Sequence, residues 1–427
     1  MAIKVLEKRL DRIGAGCYYC RGTNIFPLKE VPVTDRRSFL KHVTTGFMAL
    51  GLGARDLLAQ LRPGHLMESA PGAETVIDGK RYLYFGGTGY YGFQGDPALL
   101  KAACQALQKY GMHTSTTRSG LGNSPLYEAV EKKAAEYFGT DGSCYLASGY
   151  LGNTAGFQAL AAMDRCDVVF MDEGSHYSVV DYISLIGKPV VKFAHGDPED
   201  LRGKLQAGIK AGQKPLVVSD GVFPTFGQIA PIPEYVKAVE PFEGSVWLDD
   251  NHGVGVLGPN GRGTYEHYGL KSDRLFFCGT MSKAFGSHGG IIPGPKDFVD
   301  AVRQSHIMNG ATQPTSAAAA ASIEGMDILM KHPELRTRLL DNGRRLKEGL
   351  RRIGFPIEDT PFPVAAWKLK SVQQMDRVHQ GLLDRGICIQ RLHYVGTGAE
   401  GVLRAVAFST HTTEQIDRLL TELKALV

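Results

Sequence analysis

The sequence predicts an α/β fold, with a mainly parallel seven-stranded sheet in a large domain and a smaller α+β domain at the C-terminus. Apolar runs at 144–147, 168–171, 190–193, 216–219, 245–249, 274–278 and 289–292 alternate mostly with helix-like stretches, the pattern of buried strands covered on both faces. Beyond about residue 307 the pattern changes to a long helix from Pro333, strands near Val364–Leu369, Ile387–Gln390 and Val402–Phe408, and a last helix running to Val427. The expected organisation is an extension over 1–75, a large domain over 76–306 and a small domain over 307–427. At 427 residues and 43% hydrophobic, the chain can bury cores of that size.

Chemistry gathers where the predicted strands end. Cys144–Ala147 runs into Ser148-Gly149-Tyr150-Leu151-Gly152-Asn153-Thr154 and then the helix-like Ala155–Leu160. Glycines at a strand-to-helix turn free backbone N–H groups for an anion, and the helix dipole adds to that. Val168–Met171 leads to Asp172-Glu173-Gly174-Ser175-His176, placing an imidazole at a second strand end, where a flat ring can stack on another. Ser245–Leu248 leads to Asp249-Asp250-Asn251-His252-Gly253, an acid and an imidazole together. Leu275–Cys278 leads to Thr280-Met281-Ser282-Lys283-Ala284-Phe285-Gly286. A lysine leaving a buried strand is costly to desolvate as an ammonium, so an uncharged or covalently engaged amine is favoured.

Singly, these are a tight turn, a capping Asp, a core His and a surface Lys. In open α/β sheets, however, the strand C-termini form one ligand crevice. An anion cradle, a carboxylate, two imidazoles and an amine in one crevice suit pyridoxal phosphate (PLP), whose ring accepts electrons when a carboxylate keeps its nitrogen protonated.

Together these segments resemble the α-oxoamine synthase family of PLP enzymes, of the type I, aspartate-aminotransferase-like fold, over roughly residues 76–427. The resemblance implies that Lys283 carries the cofactor as an imine, Asp249 pairs with the ring nitrogen, His252 approaches the phenolic oxygen and His176 stacks on the ring. Gly149, Tyr150 and Thr280 would lie around the phosphate, with Asp220 of Ser219-Asp220-Gly221-Val222-Phe223 supporting the site. Leu403–Thr412 matches the family segment whose arginine, here Arg404, grips a substrate carboxylate; a guanidinium forks onto a carboxylate bidentately.

The implied reaction is decarboxylative condensation of an amino acid with an acyl-CoA or other acyl thioester to give an α-amino ketone. An aminotransferase or another PLP reaction on the same scaffold is the alternative. The amino acid and the acyl chain stay open. The resemblance also implies a homodimer.

The chain departs from the family pattern at substrate-facing positions. Thr88-Gly89-Tyr90-Tyr91-Gly92 stands where the family has Asn-x-Tyr-x-Gly, so Thr88 takes the place of a substrate-contacting Asn. Asn251 replaces a small residue, and Pro224 a serine. Asn309 and Gly310 replace the Ser-Thr that reaches a neighbouring subunit's phosphate, and Arg391-Leu392-His393-Tyr394 replaces a proline-rich loop.

Composition excludes other classes. Lys+Arg 48 against Asp+Glu 44 is too even for a nucleic-acid binder, and no basic run interleaves with aromatics. Seven cysteines, at 17, 20, 104, 144, 166, 278 and 388, are an odd and scattered set, which argues against a disulfide framework. Cys17-Tyr18-Tyr19-Cys20 has no second pair or matching histidines to complete a metal site, and no metal is expected.

The balance of features favours a cytoplasmic enzyme. Against this, Asp35-Arg36-Arg37-Ser38-Phe39-Leu40-Lys41, followed by the mildly apolar 42–54, resembles a twin-arginine export signal. The alternative is an amphipathic helix packing on a partner subunit. The stretch is too short and Gly-rich to cross a membrane.

Overall fold

The computed structural model describes residues 64–427. The export-like motif at Arg36 and Arg37 and the Cys17/Cys20 pair lie outside the described residues. Two short strands, β1 (Glu74–Ile77) and β2 (Lys80–Tyr84), pair antiparallel and precede helices α1 (Pro97–Tyr110) and α2 (Pro125–Phe138). Each helix begins on a side chain that accepts from its first free N–H groups, Asp96 and Ser124, with Pro in the opening turn.

The central sheet follows: β3 (Gly142–Leu146), β4 (Val168–Asp172), β5 (Val190–Phe193) and β6 (Pro215–Asp220) come first. After a hairpin of β7 (Val222–Phe223) and β8 (Gln228–Ile229) come β9 (Ser245–Asp249), β10 (Leu275–Thr280) and β11 (Gly290–Gly294). The order is β3-β11-β10-β9-β6-β4-β5, and β11 is the strand that runs against the rest. All the apolar runs read from the sequence are strands of this sheet.

Strand β3 feeds directly into helix α3 (Gly149–Ala162), which lies hard against the sheet. A Cβ at Gly156 would sit 1.9 Å from the Trp247 ring of β9, so only glycine permits this approach. Close packing here sets the height of the α3 N-terminus over the ends of β9 and β10.

Residues 65–427 form one compact unit. Helix α4 (Ser316–Lys331) packs on α1 and α2, and α5 (Pro333–Ile353) is the long helix expected from Pro333. Strands β12 (Val364–Trp367), β14 (Gln390–Leu392) and β15 (Val402–Val406) form a second sheet in the order β12-β15-β14, and α6 (Thr413–Lys424) closes the chain behind a Thr412/Gln415 capping box.

The single strand expected over Ile387–Gln390 is two strands. β13 (Ile387–Cys388) pairs parallel with β2, Ile389 is buried at the crossing, and β14 pairs antiparallel with β15. A continuous β-forming run carries no local mark of such a switch between sheets. Among the described residues no helix is long and apolar enough to cross a membrane.

Candidate active site

Asp249 is the last residue of β9 and is buried. Its Oδ2 accepts from Asn153 Nδ2 at 2.8 Å and Ser178 Oγ at 3.0 Å, and its Oδ1 from the Asn251 N–H at 3.2 Å. Asn153 is anchored in turn, because its Oδ1 accepts from Trp247 Nε1 at 2.8 Å. Thus β9 supplies both the carboxylate and the indole that orients the carboxylate's partner. Asp220, at the end of β6, is the register partner of Asp249 and accepts from the His176 N–H at 3.0 Å. Burial pushes the Asp220 carboxyl well above its usual range, and the Asp249 charge adds to this.

Two imidazoles face the same edge. His176 accepts at Nδ1 from the Ser178 N–H at 3.1 Å, with Ser178 Oγ at 2.7 Å, and its Nε2 meets the Tyr394 hydroxyl. His252 is buried, with Nδ1 2.8 Å from the Tyr90 hydroxyl. Burial drives its pKa well below the usual value, and the nearby Lys283 and Arg404 charges drive it further. Lys283 follows β10 on a loop tied down by Met281 N–H to Gly289 O and Ser287 N–H to Met281 O, both 2.9 Å. Gln94 Nε2 donates to the Lys283 carbonyl at 3.1 Å. Burial lowers the Lys283 pKa, opposed by Asp249 and Asp220, which favours a reactive free amine.

Helix α3 starts at Gly149 itself, capped by Ser148. A Cβ at Gly149 would lie 2.4 Å from Asn251 Oδ1 and 2.7 Å from Thr280 Cβ. The glycine is therefore needed for close approach of three segments rather than for an unusual turn. Thr280 donates to Gly289 O at 3.1 Å and shares a 2.8 Å hydrogen bond with Ser282 Oγ. Asn251 Oδ1 is buried without a partner, the mark of a site that a ligand completes. A buried carboxylate, two imidazoles, a free amine, an N-terminal helix end and an unpaired amide oxygen around one crevice fit PLP.

Arg404 lies on β15 between Ala366 of β12 and Gln390 of β14 and is buried. Its Nε donates to Pro224 O at 3.1 Å, and its Nη1 to Gly87 O at 3.3 Å and Gln390 Oε1 at 2.5 Å. All these acceptors are neutral. Pro224, which has no N–H to donate, serves through its carbonyl.

Residues 85–423 match the family described as aminotransferase class I and II. The chain belongs to that family. It is 32% identical over 356 residues to 8-amino-7-oxononanoate synthase from Fervidobacterium nodosum, covering 82% of this chain and 90% of that one. It is 30% identical over 375 residues to serine palmitoyltransferase from Sphingobacterium spiritivorum, covering 87% and 92%. A solved structure of serine palmitoyltransferase with PLP internal aldimine matches at a TM-score of 0.81 and 30% identity, over 90% of this chain and 98% of that one. Within the class I and II family the chain falls among the α-oxoamine synthases.

In this α-oxoamine synthase the fold brings Gly149, His176, Asp220, Asp249, His252, Thr280 and Lys283 to one edge of the sheet, the C-terminal ends of its parallel strands. Tyr150 stands edge-on to His176, with ring centroids 6.0 Å apart, while its hydroxyl turns outward to Asp181 at 2.8 Å. Thr88 is half-buried beside Gly87, whose carbonyl holds Arg404. Asn309 spends its amide donors locally, on Gln304 O and Ser305 O at 3.3 and 3.2 Å, and Gly310 has open space where a side chain would be.

Sequence reasoning missed Asn153, Ser178, Tyr90 and Tyr394 as site residues. Asn153 stands within the motif read for its glycines and Ser178 two residues beyond the one read for its histidine, but their bonds to Asp249 join residues 96 and 71 positions apart. Tyr90 and Tyr394 lay in segments read only as departures from the family pattern.

Proposed function

We propose that this enzyme condenses an amino acid with an acyl-CoA, releasing carbon dioxide and free thiol, and yields an α-amino ketone. The observation that carries the reading is Arg404, a buried guanidinium whose partners among the described residues are all neutral oxygens. A buried cation without an anion is costly, so the site is built to receive a carboxylate. The curated relatives named 8-amino-7-oxononanoate synthase and serine palmitoyltransferase support acyl transfer over transamination.

In this reading Lys283 Nζ, Asp249, His252 and His176 hold PLP, and Gly149, Tyr150 and Thr280 border its phosphate. When bound, the cofactor supplies an electron sink for charge developing at the substrate's α-carbon. Arg404 orients the substrate by its carboxylate, assisted by the Thr88 segment. Lys283 Nζ, with its pKa lowered by burial, takes the α-proton and later returns one. Asp249 holds a proton on the ring nitrogen, and Asp220 supports the His176 backbone through its carboxyl. A homodimer completes the proposal, with Asn309 and Gly310 toward the neighbouring subunit.

The test is stoichiometry. Purified enzyme given glycine, L-alanine or L-serine with acetyl-CoA or palmitoyl-CoA should release thiol and carbon dioxide one for one with a productive amino acid. Keto acid formation from the amino acid without thiol release would establish a transaminase instead. Light scattering in solution reads the subunit number.

A further inference from the structure

Two adjacent phenols of the segment Thr88-Gly89-Tyr90-Tyr91-Gly92 reach the turn that follows β9, and the mechanism above uses neither. The Tyr91 hydroxyl donates to Gly255 O at 2.6 Å, and the Tyr90 hydroxyl lies 2.8 Å from His252 Nδ1. Tyr90 is held firmly. Its carbonyl accepts from the Ser409 N–H at 2.8 Å, and the Phe362 ring stands edge-on to Tyr90 and to His252, with centroids 5.6 and 6.4 Å away. Its backbone sits at φ 34°, a left-handed conformation that a bulky residue rarely adopts and that the surrounding structure must impose.

Burial, with the Lys283 and Arg404 charges behind it, holds the His252 pKa well below its usual value, so the ring is neutral and carries one N–H. Burial also raises the Tyr90 pKa, so the phenol keeps its hydrogen. Two arrangements fit the contact between them. Either the Tyr90 O–H donates to a bare Nδ1, or Nδ1–H donates to the Tyr90 oxygen and the O–H turns elsewhere. Tyr90 is wholly buried and its hydroxyl has no other partner among the described residues, so an O–H turned elsewhere would meet neither water nor an acceptor. A buried donor left unpaired is penalised, which selects the first arrangement. His252 Nε2 is not sealed in this way, and no group among the described residues bonds to it.

We propose that Tyr90 is a positioning residue whose O–H donates to His252 Nδ1, so that His252 presents its Nε2–H to the phenolic oxygen of the cofactor. This rests on the reading in which His252 approaches that oxygen. The tautomer decides the sign of the contact. A phenolic oxygen carrying negative charge is an acceptor, attracted by Nε2–H and repelled by the lone pair of a bare Nε2. Tyr90 fixes the hydrogen before the cofactor arrives, and it acts only through His252. Tyr91 ties down the same turn through Gly255 O but makes no hydrogen bond to the imidazole.

The experiment reads the two His252 ring nitrogens by 15N NMR in histidine-labelled enzyme, with PLP bound and after its removal, the signals assigned as those missing from His252→Ala. The parent should show a protonated Nε2 and a bare Nδ1 in both forms. A protonated Nδ1 in the cofactor-free form would overturn the proposal, because the Tyr90 O–H would then not be spent on it. Tyr90→Phe should give a mixture of the two tautomers in the cofactor-free form and bind PLP roughly 3- to 10-fold more weakly, the worth of one hydrogen bond. Tyr91→Phe should keep the Nε2–H form. Equal disturbance of the ring in both variants would make the two tyrosines general supports of the turn, and an undisturbed tautomer in Tyr90→Phe would mean that the ring is set by other groups; either result sinks the proposal. The reading beneath it is tested apart from these. If His252→Ala bound PLP as tightly as the parent, with an unchanged visible band, His252 would not meet the phenolic oxygen, and the role of Tyr90 would fall with it even where the tautomer is as expected.

Discussion

Asp220 and Asp249 are cross-strand partners at the C-terminal ends of β6 and β9, two buried carboxyls side by side with different company. Asp249 collects Asn153, Ser178 and the Asn251 N–H, whereas Asp220 takes the His176 N–H and has its pKa raised by burial and by Asp249. Like charges so close push one member toward its neutral form. Asp249→Asn should therefore lose roughly 100-fold or more in kcat while retaining bound cofactor. Asp220→Asn, which can still accept the His176 N–H, should lose under about 10-fold. Turnover measured against cofactor content checks both; comparable losses would mean that the roles are shared.

Much of this was legible in the sequence because parallel strands buried on both faces are near-continuous apolar runs, and their C-terminal ends share an edge. Lys283, Asp249, His176 and His252 each follow such a run directly, so their convergence needs only the fold. What stayed hidden was long-range. Asn153 looks like any polar residue of a helix until Trp247 and Asp249 meet it from another strand. Tyr90, at φ 34°, takes a backbone conformation that sequence does not announce, and its hydroxyl reaches a histidine 162 residues away. Pro224 was read only as the replacement of a serine, while the structure uses its carbonyl.

Gly149 supplies a steric test of the cradle. A methyl placed 2.4 Å from Asn251 Oδ1 and 2.7 Å from Thr280 Cβ must displace α3 or the strand ends. Gly149→Ala is expected to cost about 1–3 kcal/mol of stability and at least about 10-fold in PLP affinity. Adding Asn251→Gly should recover part of the affinity, since Thr280 still crowds the methyl. Cofactor titration of the apoenzymes reads this directly; unchanged affinity in the single variant would place the phosphate elsewhere.

Asp250 gives a pH signature. It is fully buried, accepts from the Thr264 N–H at 2.7 Å and the Thr264 hydroxyl, and burial raises its pKa to about 7. A carboxyl whose folded pKa exceeds its unfolded value of 3.8 contributes most when protonated, and that contribution decays as pH rises from about 4 through 7. Asp250→Asn cannot ionise. Its stability relative to the parent should thus improve between pH 4 and pH 8, by up to about 4 kcal/mol. Urea unfolding at the two pH values gives the difference, and a pH-independent one would show that Asp250 is not raised.

Arg404 decides whether the site takes an amino acid at all. Its Nε and Nη1 are committed to Pro224, Gly87 and Gln390, which fixes the plane of the guanidinium, and Nη2 has no hydrogen-bond partner among the described residues. A carboxylate arriving at that plane would gain charge-assisted hydrogen bonds from a donor already held rigid, so little entropy is lost on binding. Arg404→Ala removes the guanidinium charge and leaves the substrate's carboxylate desolvated, at a cost of about 2–4 kcal/mol. The apparent amino-acid KM should accordingly rise roughly 100-fold or more, while the bound cofactor keeps its visible absorbance. Arg404→Lys should recover little, because a single ammonium cannot hold Pro224 O and Gln390 Oε1 while reaching the substrate. If Arg404→Ala bound amino acids as the parent does, the carboxylate would have to be gripped elsewhere, and the buried guanidinium would serve only to join β15 to the β7–β8 hairpin.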